Sequence, residues 1–167
     1  PWQVLKADQT PYKVFTPFYR KGCLLSAEAP RHPLKAPQCQ FVKIDDHGFD
    51  ILPVAEKWQE KLETHWQIGE EEAQKRLYDF LEQGLDGYKE GRNFPARNNV
   101  SMLSPYLHFG EISPNQVWYA AQFRGDNSDI EHFLSEIGWR EFSYYLLYHF
   151  PTLPEQNLQA KFDQFPW

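Results

Sequence analysis

No stretch of this chain stays apolar long enough to cross a bilayer, and it does not open on the apolar segment of a secretory signal. Both absences argue against a membrane-embedded or exported protein. Cysteine is scarce. Only Cys23 and Cys39 occur, in a proline-rich stretch and without metal-site spacing, and they are expected to be reduced cytosolic thiols. A chain of 167 residues can bury a core without disulfides. A basic excess is also missing. The 17 Lys and Arg against 23 Asp and Glu leave a net charge of −6, which excludes a protein that coats nucleic acid but leaves room for a small basic site. We therefore expect a soluble, cytoplasmic protein. What the chain has in abundance is aromatic side chains, at 17%. Most of them serve helix packing, yet the surplus suits a protein that holds flat ligands.

Residues 1–52 carry Pro1, Pro11, Pro17, Pro30, Pro33 and Pro37 and no sustained period of 2 or 3.6, which predicts an irregular linker with one short helical turn near Pro17 to Lys21. From residue 53 the pattern turns helical. Val54, Trp58, Leu62 and Trp66 recur at four-residue steps; after Gly69 a cleaner helix puts Ala73, Leu77, Phe80 and Leu81 on one face, with Glu70, Glu71 and Glu72 in its first turn. Both helices read as structural, and His65 as a surface histidine. The expected fold is mainly α, with a linker over 1–52 and a helical domain over 53–167.

Between Gly84 and Ser104 the glycines Gly84, Gly87 and Gly91, with Pro95 and the Asn98–Asn99 pair, predict a long loop without a regular element. The loop enters a helix at Ser104-Pro105, a serine N-cap followed by proline. Free amides there, beside the Ser101 and Ser104 hydroxyls, would form an anion site; the alternative is only a capped helix. Further on, Gly110 closes a short helix, Ser113 and Gln116 have capping-box spacing around Pro114, and Gly125 ends a helix with Val117, Ala120 and Ala121 facing inward. His108 reads as a hydrogen-bonded structural histidine rather than a cofactor contact. The last residues form a proline-punctuated tail anchored by Leu153, Leu158, Phe162 and Phe165.

The stretch from Asp129 to Pro151 organises the rest. Ile130, Phe133, Leu134, Ile137, Tyr144 and Tyr148 fall at helical steps and predict a core-facing stripe. A second wall holds Glu136, Trp139, Arg140 and Ser143 at i, i+3, i+4 and i+7. The acid can accept bonds from a heterocycle, the indole can stack on it, and the guanidinium can hold a phosphate or an acidic neighbour. The alternative is a half-exposed helix with an Arg–Glu pair and a boundary tryptophan.

The order Glu136-Ile-Gly-Trp139-Arg140-Glu141-Phe142 resembles the E-x-x-W-R-E-F segment of the photolyase and cryptochrome family, most like a bacterial class I photolyase that acts on cyclobutane pyrimidine dimers. PYKVFTPFYR from Pro11, the run from Tyr88 to Pro95, and LSPYLHFGEISPNQVW from Leu103 to Trp118 match the same family in the same order. The resemblance implies the N-terminal portion of the helical FAD-binding domain, preceded by the interdomain linker. Because the chain opens on Pro1 and stops at Trp167, we expect a fragment. An N-terminal antenna domain, with a folate or deazaflavin chromophore, and the C-terminal part of the FAD domain would lie outside it.

By the same resemblance, Tyr88, Val100, Ser101, Met102, Leu103 and Ser104 cradle the FAD diphosphate. Arg92 contacts DNA. Trp139 stacks on a pyrimidine dimer flipped out of damaged DNA, and Glu136 bonds its base edge and stabilises the negative charge that electron transfer creates. Arg140 and Ser143 lie on the DNA side; no metal is implied. In place of Val100 and Met102 the family usually has Thr and Arg, so a hydroxyl and a cation near the phosphates are absent here. The implied activity is light-driven DNA repair by the complete protein, with the fragment itself inactive. A cryptochrome that signals without repair, and a helical interaction module that has lost the cofactor, are the alternatives.

Overall fold

The computed structural model describes residues 3–25, 28–40, 42 and 57–165, and the description that follows is of these. No strand occurs among them. Helix α1, Phe15–Pro17, runs directly into a π-helical stretch, Phe18–Leu24. The change of winding falls at Pro17, which has no N–H to give. The expected turn near Pro17 to Lys21 is thus a longer helical segment, flanked by irregular chain from residue 28 to 40. The boundary expected after residue 52, and Val54, lie outside the described residues.

Helix α2 spans Lys57–Glu63 and α3 spans Glu70–Gln83. The α3 face behaves as its period predicts: Ala73, Leu77, Phe80 and Leu81 are all buried. The α2 face does not. Trp58 is 59% exposed and Leu62 49% exposed, and only Trp66, just beyond the helix, packs against the core, at 5.9 Å from the Tyr106 ring. A four-residue period marks an apolar face, but a face is buried only where another element covers it.

The loop expected from Gly84 to Ser104 contains a one-turn helix, α4, Tyr88–Gly91, entered through Gly87 in the left-handed region at φ 76°. Helix α5 is Ser104–Phe109 and closes on Gly110 at φ 76°; α6 is Pro114–Phe123. The α6 capping box forms as its spacing predicts, with the Ser113 hydroxyl accepting from the Gln116 amide and the Gln116 side chain accepting from the Ser113 amide. Helix α7, Ser128–His149, is about 33 Å long. The Asn127 side chain caps it, accepting from the Asp129 and Ile130 amides at 3.0 Å each. Turns and a short 3-10 helix, Ala160–Phe162, complete the described chain. Leu153 and Leu158 are half-buried there, whereas Phe162 and Phe165 are exposed, so only two of the four expected anchors hold.

Helix α7 packs against α4, α6 and the π-helical stretch and serves two cores. Its first half, through Ile130, Phe133, Leu134 and Ile137, joins the main core with α3 to α6. Its second half turns a different side inward: Phe142 and Tyr145 pack on Phe18 in a separate aromatic cluster, with ring centroids 5.0 Å and 4.6 Å away. Tyr145 lies about 80° and Phe142 about 140° around the axis from Ile137. The straight stripe expected through Tyr144 and Tyr148 is therefore corrected. Those two rings are 47% and 63% exposed, because the element that covers the second half approaches from another side.

Candidate functional site

A cleft of about 400 Å³ opens between α5, α7 and the loop that leads into α5. Tyr88, Ser101, Leu103, Ser104, Glu136 and Arg140 share its lining with Leu107, His108 and Tyr144. Residues picked out in two separate stretches of sequence, the loop from Gly84 to Ser104 and the helix from Asp129 onward, thus face one space. His108, expected as a hydrogen-bonded structural histidine, is exposed and stands on this lining.

Tyr88 anchors the floor. It is buried, edge-on to Phe80 and Phe133 at 5.7 Å and 5.4 Å, and burial pushes its hydroxyl up from the ordinary phenol range. The site presents a neutral phenol at physiological pH. Arg92, one turn on, sits with its guanidinium 5.3 Å from the Tyr88 ring centre and donates to the Glu136 carboxylate. That bond pushes the guanidinium pKa above its usual range. Arg92 is thus the tie between α4 and the site face of α7.

Each of the other α7 residues has a partner. Arg140 lies 5.0 Å from the Tyr144 ring centre and 3.3 Å from the Glu141 carboxylate, so the pair runs to its neighbour in sequence rather than back to Glu136. The Ser143 hydroxyl donates to the Trp139 carbonyl at 3.0 Å, which turns it onto its own helix. Trp139 is 46% exposed and lies beside the cleft rather than in its lining, stacked on Phe15 with ring centroids 3.8 Å apart and planes 13° apart.

The run into α5 departs from expectation in its cap. Ser104 is the first helical residue, Leu103 occupies the cap position, and no side chain caps the helix, because Leu103 turns into the right-handed helical region one residue early. Leu103 is buried and fixes the loop, while Val100 and Met102 are each 46% exposed and lie outside the lining. Met102 adopts a left-handed φ of 56°, uncommon for a residue other than glycine.

The residues that hold this arrangement carry little signal in the sequence. The Asp129 carboxylate, at the start of α7, accepts from the Gly87 amide at 3.0 Å and the Lys89 amide at 2.8 Å and so caps α4 from across the fold. The Asn99 side chain donates to the Gly84 and Asp86 carbonyls at 2.8 Å and 3.0 Å, closing the loop on itself. An acid in a first helical turn and an asparagine in a loop are ordinary at such positions. Their long-range bonds are visible only in the fold.

No protein-family model matches the chain. Whole-protein comparison is decisive instead. The chain is 40% identical over 94% of its length to a deoxyribodipyrimidine photo-lyase of Agrobacterium fabrum, and 35% identical over 93% to one of Thermus thermophilus. It is 32% identical over its whole length to cryptochrome-2 of Arabidopsis thaliana. A crystal structure of a bacterial class III photolyase from Agrobacterium tumefaciens superposes on all of it with a TM-score of 0.77 at 39% identity.

The chain belongs to the photolyase and cryptochrome family.

It spans about a third of the length of these family members, 34% of the Agrobacterium fabrum protein and 36% of the crystallised chain. The helical fold expected from the motifs is the family's fold over this segment. The solved relative is described as class III, where the motifs by themselves suggested class I. No helix among the described residues is long and apolar enough to cross a membrane, and no group of His, Cys, Asp and Glu among them could hold a metal ion.

Proposed function

We propose that this chain is the linker, 1–52, and the first helical part, 53–167, of a deoxyribodipyrimidine photolyase that binds FAD and splits pyrimidine dimers in DNA under light. The observation that carries this reading is the single cleft shared by Tyr88, Ser101, Leu103 and Ser104 on one side and Glu136 and Arg140 on the other. A cofactor and a flipped base have to meet in one space, and a cleft lined from both sides, with Trp139 beside it, supports that reading.

The residues fit a flavin diphosphate in chemistry. Pro105 has no N–H, so the first turn of α5 offers the Ser104 and Tyr106 amides, which have no acceptor within the helix, and Ser101 and Ser104 line the same cleft. The apolar side chains of Val100 and Met102 stand outside the lining, so a cradle made of backbone tolerates them. Arg140 adds positive charge. Bound FAD supplies the light-driven electron. What the chain itself supplies is position: Trp139 offers a flat surface to a dimer lifted from the duplex, which is cheaper to flip than a sound pair because it stacks and pairs poorly. Photolyases are among the enzymes for which base flipping is the general rule. Glu136, held by Arg92, would offer its carboxylate to the base edge, and Arg92 and Arg140 would help hold backbone phosphate or neighbouring acids. The protein is proposed to work in the cytoplasm, with an upstream domain that carries a folate or deazaflavin antenna.

The test is the full-length protein, purified and assayed for flavin absorbance and for loss of thymine dimers from a duplex under blue light. The expected result is bound flavin and dimer loss in light only. Trp139→Ala should lower the preference for dimer-containing over undamaged duplex about tenfold, the scale of one lost base–aromatic stack; unchanged preference would remove Trp139 from the site. Similarity to cryptochrome-2 favours a second reading, a flavin photoreceptor, which flavin binding without any dimer loss would support. Absence of flavin would point to the helical interaction module.

A further inference from the structure

Trp139 is not held by its own helix alone. Its ring lies flat on Phe15, centroids 3.8 Å apart and planes 13° apart; Phe15 in turn lies flat on Tyr19 at 5.2 Å and 13°, and the edge of Phe142 meets Trp139 at 5.9 Å. Three near-parallel rings thus run from the N-terminal segment onto α7. The Tyr19 end of this ladder is let into α7 at one point. A Cβ on Gly138, the residue before Trp139, would come within 2.5 Å of two Tyr19 ring atoms, so only glycine leaves room for that ring at that depth. The ladder is therefore built at both ends: by a notch in the helix and by the indole beside it.

We propose that Phe15 is a positioning residue, a backstop that with Tyr19 and the Gly138 notch fixes the plane of the Trp139 ring and leaves its opposite face free for a flat partner. The proposal rests on the reading of Trp139 as the lesion-stacking surface. An indole on a helix surface otherwise moves among several rotamers, and a stacking ligand would have to select one at a cost in affinity. With Phe15 covering one face, the ring is preset, while 46% of Trp139 remains open to solvent. The family motif places the tryptophan; a residue more than a hundred positions earlier orients it.

Two readouts on the full-length protein decide this. The first is the position of the ring: the Trp139 indole resonances, assigned by their loss in Trp139→Phe, should carry the ring-current shift of Phe15 and lose it in Phe15→Leu. The second is the ratio of affinities for a duplex with one thymine dimer and for the same duplex undamaged. Phe15→Leu should lower that ratio about threefold to tenfold, the scale of one aromatic pair, with undamaged duplex bound as before. Phe15→Tyr, which keeps a ring, should restore both readouts. Gly138→Ala should reproduce Phe15→Leu by displacing Tyr19, and it guards against a Phe15 variant that merely misfolds. Indole resonances unmoved by Phe15→Leu, or a preference for damaged duplex that is unchanged or increased, would overturn the proposal; an increase would mean that Phe15 blocks the stacking face. If Trp139→Ala itself leaves the preference intact, the lesion-stacking reading fails, and the resonance readout still decides the backstop.

Discussion

Arg92 forms a long-range ion pair with Glu136 of the cleft lining, and its strength decides what the pair can do. Both side chains are about a third exposed, so screening by solvent holds the pair to the order of 1 kcal/mol or less. A phosphate or a base edge can therefore take either partner without a large cost, which suits a pair that waits at a binding face. Tyr19 is a different kind of residue, defined by what burial does to it. Desolvation, with the neighbouring Cys23 adding to it, pushes its hydroxyl up to about 12 from 10.0. The neutral phenol is thus favoured by the fold. Its contribution to stability is complete below pH 10 and is lost as the pH rises toward 12, where the unfolded chain ionises first. Burial raises the Cys23 thiol as well, from an ordinary value of 9.0, so the loss begins with that group. In the full-length protein, urea midpoints measured from pH 8 to 11.5 should fall on the alkaline side, and Tyr19→Phe should make the part above pH 10 shallower, the buried Tyr88 and Tyr145 supplying the rest, and leave the earlier part in place. An equally steep fall above pH 10 in Tyr19→Phe would show that another group governs it.

At the scale of elements, α4 is the piece least able to stand alone. It is a single turn, Tyr88–Gly91, with no side-chain cap from its own neighbours, and the Asp129 carboxylate of α7 supplies an acceptor to the Lys89 amide and to that of the cap residue Gly87. Asp129→Ala should destabilise the protein by about 1 kcal/mol, the ordinary worth of a helix cap, and should loosen Tyr88 and Arg92 together. The urea midpoint gives the first effect and flavin retention the second; Asp129→Asn, which keeps one oxygen, should fall between. This element also marks where the sequence stops being legible. The α3 face, the α6 capping box and the Gly110 stop were all readable, because each depends on residues within one or two turns of each other. The motif residues at the cleft were readable through resemblance, which carries position without geometry. The exposed α2 face, the cap of α4 by Asp129 and the Phe15 stack were not readable. Each depends on which element arrives from elsewhere in the chain, and periodicity says that a face is apolar without saying what covers it. Tyr144 and Tyr148 fail for the same reason: they continue the period of Ile137, but the covering element reaches Phe142 and Tyr145 instead.

For the molecule as a whole, the consequence is that α7 belongs to two cores and the wall from Glu136 to Trp139 lies where they meet. The main core holds the helix as far as Ile137; the aromatic cluster holds it from Phe142 on, through an N-terminal segment pinned by one hydroxyl. That hydroxyl is Tyr145, fully buried, which accepts from the Tyr12 amide at 2.9 Å and donates to the Val4 carbonyl at 2.8 Å. Tyr145→Phe keeps the ring and strips both backbone groups of their partner, a loss of about 1 to 3 kcal/mol. If the two cores open separately, hydrogen exchange in this variant should quicken at the amides of residues 139–149 and 12–24, while those of 128–138 and of α3 keep their protection. Uniform quickening along α7 would instead mean one cooperative unit. Separate opening has a functional edge: a change that loosens only the aromatic cluster would free Trp139 while Tyr88 and the loop into α5 stay in place. In Tyr145→Phe, therefore, preference for damaged duplex should decline with flavin content unchanged, and a parallel loss of both would show that the two cores hold the site as one.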